Sequence, residues 1–189
     1  MSKDFTEGMP LVNIVLAEVV TEEEVLETFR FDTAEEAQID PNLSEGEENI
    51  LRVKNKILAT NRTEDIVVGY DTTLSSNTLI PKLFAIIDGG NLIFDKVDTD
   101  KVVSYEAPVA GKPVARKRFT LNLYTEEKDI DGNTLQFVKF GFKHCTGKPV
   151  SFRLKDGEFF VPEMVVRSRP KAGERPIELE FLEELPTIE

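Results

Sequence analysis

His144 and Cys145 are the single histidine and the single cysteine of the chain, and they are neighbours. An imidazole that accepts a thiol proton would create a nucleophilic thiolate. The pair follows "QFVKFGF" at 136–142, a run that alternates as strands do. If the strand continues through it, the two side chains point to opposite faces and share no proton. The expectation is a buried structural cysteine and an ordinary histidine. One His and one Cys also fall short of the ligands of a zinc site.

Other motifs fail on spacing. In "GFKHCTGKP", Gly141 and Gly147-Lys148 are one residue too far apart for a phosphate loop, and Pro149 stands where Ser or Thr is needed. "DKVDTDK" and "DIDGN" lack the Gly at the sixth position and the Glu at the twelfth of a calcium loop, and read as turns. Carboxylate pairs are always available among 35 acids, so they identify nothing. No catalytic, cofactor or metal site is expected.

Charge is more informative. Residues 1–48 contain fourteen Asp and Glu against Lys3 and Arg30, which accounts for the whole net charge of -12. Glu45, Glu47 and Glu48 close that acidic segment. Two stretches are basic and acid-free: 107–125 with Lys112, Arg116, Lys117 and Arg118, and 139–155 with Lys139, Lys143, Lys148, Arg153 and Lys155. Between the acidic and basic stretches, "ILRVKNKILAT" at 50–60 sets Arg52, Lys54 and Lys56 on alternate positions. On one strand, these cations would share a face opposite Leu51, Val53, Ile57 and Ala59. A single-strand nucleic-acid reader would interleave stacking aromatics, and there are none here. A solvated face and an intersubunit contact are the stronger readings. Complementary patches orient association.

Strand signals dominate the elements that must carry these residues. "PLVNIVLAEVV", "ETFRF", "KRFTLNLYT" and "QFVKFGF" are apolar or alternating; "EEAQIDPNLSEGEE" at 35–48 has the composition of a solvated loop. Residues 49–59 and 65–70 are expected to form a long hairpin about "TNRTE". Asp131-Gly132 and Asp156-Gly157 each predict a hairpin turn. "IELEFLEELP" reads as a final strand. One helix is expected over about 78–88, with Ser75, Ser76 or Asn77 as N-cap, Pro81 in its first turn and Gly89-Gly90 at its end. The fold class is a mainly β, antiparallel β-sandwich or barrel with one packed helix, in a single domain over 1–189. The opening residues lack the pattern of an export signal, and no stretch is apolar enough to span a bilayer as a helix.

In segment order, the chain resembles the tail tube proteins of long-tailed bacteriophages, the type of Gram-positive hosts. The likeness rests on "LRVKNKILA", "EDIVVGYDTTLSSNTLIPKLFAIIDGG", "RKRFTLNLYTEEKDIDGN" and "GKPVSFRLKDGEFFVPEMVVRSRPKAGERPI", roughly residues 48–182. It implies a β-sandwich subunit without enzymatic activity that assembles in the host bacterial cytoplasm. Rings, usually of six, would stack into a hollow tube in the virion tail. Its partners would be copies of itself, a tape-measure protein, tail-tip and terminator proteins, and double-stranded DNA that passes without tight binding; no membrane is involved. The acidic 1–48 segment would be an assembly arm, and the intersubunit contact would draw on Arg52, Lys54, Lys56, Lys112, Arg116, Lys117, Arg118, Glu45, Glu47 and Glu48. The alternative is a monomeric β-sandwich binding module for carbohydrate or protein. Against it stand the absence of Trp and a total of three Tyr, since sugar platforms use exposed aromatics.

Overall fold

A computed structural model describes residues 8–98 and 101–187. The first seven residues of the acidic segment, and Thr99 and Asp100 of "DKVDTDK", lie outside the described residues. The fold is mainly β, all its strand pairs are antiparallel, and it has one helix among the described residues.

The largest sheet runs β2 (Thr28–Phe31), β1 (Leu11–Thr21), β9 (Phe119–Lys128), β10 (Thr134–Gly147), β11 (Glu163–Ser168), β6 (Ile66–Ser76) and β3 (Ala34–Ser44). The final strand, β12 (Glu178–Leu182), also pairs with β10. β10 makes the corner of the sandwich. Its first half, Phe137–Gly141, pairs with β12, and its last residues, Cys145–Gly147, pair with β11. Between them the register with β9 shifts after Phe142, and His144 adopts φ 51. A bulge of this kind bends a strand and redirects its side chains. The strand path is open from β2 to β3, so the sandwich does not close into a barrel.

The core follows the alternation of the sequence. Phe119, Leu121 and Leu123 of β9 face Ala17 and Val19 of β1, Phe142 and Cys145 of β10, and Leu74, Met164 and Val166 of the β6–β11 half. Helix α1 (Pro81–Asp88) covers them with Leu83, Ile86 and Ile87. Its start differs from expectation. Ile80 is the N-cap and makes no side-chain cap, with Pro81 in the first turn, because Ser76 and Thr78 instead bond to each other and to Thr33. Its end is as expected, with Gly89 in the left-handed region. A Cβ on Gly147 would collide with the Ile87 carbonyl, so helix and β10 meet there backbone to backbone.

Three expectations are corrected. Residues 35–44 are not a loop but most of β3, paired with β6 from Ala34 to Ser44. β3 is an edge strand, and an edge tolerates the missing amide of Pro41 and the acids on its exposed positions. The long hairpin about "TNRTE" does not form. The chain turns earlier, at Lys54-Asn55, so that β4 (Glu48–Val53) pairs with β5 (Lys56–Arg62), and 66–76 joins β3 instead. The Asp156-Gly157 turn exists, with Gly157 at φ 77, but no strands flank it; a single bridge, Ser151 to Glu163, closes a loop over 151–163. The Asp131-Gly132 hairpin forms, with Gly132 at φ 83 and the Asp129 carboxylate accepting from the Asp131 and Asn133 amides. β7 (Asn91–Phe94) and β8 (Val102–Glu106) form a further small hairpin.

Candidate functional site

The two-stranded β4–β5 sheet is separate from the sandwich, and every residue in both strands is exposed. Its base is held by the Glu47 amide on Thr63 Oγ1 at 2.7 Å and the Thr63 amide on the Glu47 carbonyl at 3.0 Å. Lys54, with φ 54, starts the two-residue turn between Val53 and Lys56. Because the chain reverses there, Arg52, Lys54 and Lys56 do not form the row on one strand that their spacing predicts. Arg52 is on β4, Lys54 in the turn and Lys56 on β5. A register shift after Leu51 sets Arg52 opposite Ile57, and the turn sets Val53 opposite Lys56. Cationic and apolar residues are thus cross-strand neighbours at the tip of a projecting hairpin. Among the described residues the three cations have no ion pair; Arg52 Nε donates to the Lys54 carbonyl at 3.1 Å.

Glu45, Glu47 and Glu48 are exposed at the base of that hairpin, separated from the tip cations by the length of β4. Lys112, Arg116, Lys117 and Arg118 belong to the irregular connection between β8 and β9. Arg116 Nε is buried there without an acceptor, and Lys117 pairs with Glu23 at 2.8 Å. One Lys–Glu ion pair among the described residues therefore joins the acidic segment to the first basic stretch, beside the strand pairing of β1 with β9; the structure does not gather the ten charged residues into one site. The second basic stretch is partly neutralised in place: Lys139 meets Glu180 at 2.9 Å, Lys143 meets Glu178 at 2.8 Å, and Lys155 meets Glu158.

The hairpin is also rich in uncovered apolar surface. Ile50, Leu51, Val53, Ile57 and Leu58 are each about half exposed or more. A second apolar surface lies between α1 and the 151–163 loop. There Leu79, Phe84, Phe152, Leu154 and Phe160 line a shallow cleft; Phe159, 97% exposed, groups instead with Arg153, Lys155, Glu158 and Val161 of the same loop.

His144 and Cys145 do not form a dyad, although the bulge at His144 breaks the strand alternation from which that was expected. Cys145 is fully buried, and burial pushes its thiol up to about 12. The His144 ring points away from it, with Nδ1 2.6 Å from Glu22 Oε2 and Nε2 3.0 Å from Glu174 Oε2. Its backbone amide also donates to Glu22 Oε1 at 2.9 Å. Burial raises Glu22, but these bonds and one from Thr120 outweigh it and hold the carboxylate low. This clamp ties the β1–β2 connection to the β10 bulge and the 171–174 turn. Its partners are far apart in sequence, so no local signal announces it.

A polar row crosses the outer face of the other half. Arg30, Glu18 and Asn122 are aligned on β2, β1 and β9, and the next position, on β10, is Gly141. Glu18 accepts from Arg30 at 2.7 Å, Asn122 at 2.7 Å and Tyr124 at 3.1 Å. Burial raises its carboxyl, but those bonds bring it below the ordinary value. Glu126 is drawn down to about 2 by Asn13, Thr134 and Lys128. These groups are consumed in holding strands together. No cluster of His, Cys, Asp and Glu among the described residues could hold a metal ion, and none of the described helices is long and apolar enough to cross a membrane.

No family model matches the chain. No curated protein matches it. Among solved structures it is similar to a chain of the anti-feeding prophage baseplate, from a six-fold symmetrised cryo-EM structure, at 9% identity over 96% of this chain and 97% of that chain. The TM-score of 0.44 is too low for that likeness to bear on function.

Proposed function

We propose that the protein is a structural, self-assembling subunit of a phage tail tube, built as stacked rings, hexameric by its resemblance to that family. The observation that carries this reading is the β4–β5 hairpin, a projecting two-stranded sheet exposed along its whole length, with five large apolar residues uncovered. An isolated hairpin is marginally stable in water, and an exposed apolar one invites association. Such an element makes physical sense when another surface covers it. The long outer edge of β3 supports the same reading, since a neighbour's strand could continue the sheet there. Contact between a hairpin and some other part of a neighbour is heterologous, the geometry that closes rings and also propagates stacks.

In this reading the ten charged residues named above serve contacts between subunits, the tube surrounds a tape-measure protein, and duplex DNA later passes through a neutral or acidic lumen. Phosphate contacts by Lys and Arg would hold DNA in a strongly salt-dependent way and slow its passage. Sedimentation velocity over a wide range of protein concentration tests the assembly claim. The expected result is growth from subunit to rings and longer stacks, whereas a single monomeric species at every concentration would sink it. Assembled protein should show negligible retention of duplex DNA at physiological salt.

A further inference from the structure

We infer that the cleft between α1 and the 151–163 loop is the receptor for the β4–β5 hairpin of a second copy of this chain. The inference rests on the self-assembly reading above and adds the partner surface to it.

The two surfaces match in chemistry. The cleft is lined by Leu79, Phe84, Phe152, Leu154 and Phe160; the hairpin offers Ile50, Leu51, Val53, Ile57 and Leu58. Both surfaces are open to apolar contact: Leu79, Phe152 and Leu154 of the cleft, like the five hairpin residues, are each about half exposed or more. They also match in charge. The hairpin tip carries Arg52, Lys54 and Lys56, none of them ion-paired among the described residues. Beside the cleft, Glu36 and Glu163 flank Ser75 on adjacent strands, and Glu163 is bridged to Ser151, next to Phe152. Both acids are exposed, and neither has an ion pair among the described residues. Asp156 at the loop tip adds a third exposed acid, against Arg153; Lys155 and Glu158 satisfy each other. Cations around an apolar strand pair thus meet acids around an apolar cleft, and such pairing orients an encounter that the apolar contact then holds. Within one copy the hairpin is exposed along both strands and contributes no residue to the cleft lining, so a second copy is the occupant that the matching surfaces fit.

Two full-length variants, Leu58→Cys and Leu154→Cys, test this with a short thiol-to-thiol crosslinker. Native Cys145 is fully buried and does not compete. A mixture of the two should give a crosslinked pair that neither variant gives alone. Assembly without that mixed product overturns the inference and leaves self-assembly standing, as does crosslinking of either variant to itself. Full reactivity of Leu154→Cys toward a small thiol reagent in assembled protein also overturns it, because the cleft is then open. A chain that never assembles removes the inference together with the reading it rests on. A second, exposed pair guards against misfolding: Lys54→Glu should weaken association roughly tenfold, and Glu163→Lys on the partner should restore much of it. Absence of rescue in folded protein contradicts the charge pairing.

Discussion

At the scale of residues, the polar clusters built around Glu18, Glu22 and Glu126 tie strands and turns together. His144 spans two carboxylates, and removing its ring leaves a part-buried Glu22 with the residue 144 amide and Thr120 as its donors. His144→Ala should therefore cost about 1–2 kcal/mol of stability, read from urea unfolding at neutral pH, with no change in secondary structure. The acid limb follows from Glu18 and Glu126. Both titrate below the ordinary value of 4.5 in the folded chain, Glu126 at about 2. The unfolded chain thus binds their protons first as pH falls. Their contribution is complete above about 4.5 and is lost as pH descends toward 2. Thermal melts between pH 6 and pH 2.5 should show a falling Tm that Glu126→Gln flattens; an identical slope in that variant would contradict the assignment.

At the scale of elements, the β4–β5 hairpin is separable from the core. Its residues are all exposed and its base is pinned at Glu47 and Thr63. Replacing 48–62 by a short Gly-Ser turn should change unfolding free energy by less than about 1 kcal/mol, because no buried contact is lost, while abolishing association measured by sedimentation. A large loss of stability would mean that the hairpin is part of the fold. This element also marks where sequence reasoning ends. The buried strands were legible because alternation with one apolar face has a unique solution, as with Phe119, Leu121 and Leu123. The hairpin was not, since the same alternation in "LRVKNKILA" fits one long strand or two short ones, and Lys54 carries a positive φ that its type does not advertise. β3 was hidden by composition, because an edge strand may hold acids and a proline that a central strand cannot. The candidate charged residues were legible as charges and not as a site. Their grouping depended on the strand assumption, and the apolar cleft comes from a loop that local turn chemistry made look like a hairpin.

At the scale of the whole molecule, the acidic first quarter and the basic stretches are reconciled partly inside the subunit, through Lys117 and Glu23, and by β12 through Glu178 and Glu180. The cations at the hairpin tip have no ion pair among the described residues, and in the proposed assembly they meet a neighbour. Association should therefore respond to salt in two ways: raising ionic strength should slow it by screening the exposed charges, while the assembled state, held by apolar contact, should persist. Dissociation of preformed assemblies at 1 M salt would assign the contact to charge alone. The central claim is that the chain builds a hollow polymer from itself, and electron microscopy of the purified, concentrated protein in negative stain tests it most directly. Rings and tubes with an open lumen are the predicted result; a field of separate, featureless particles of monomer size would contradict it.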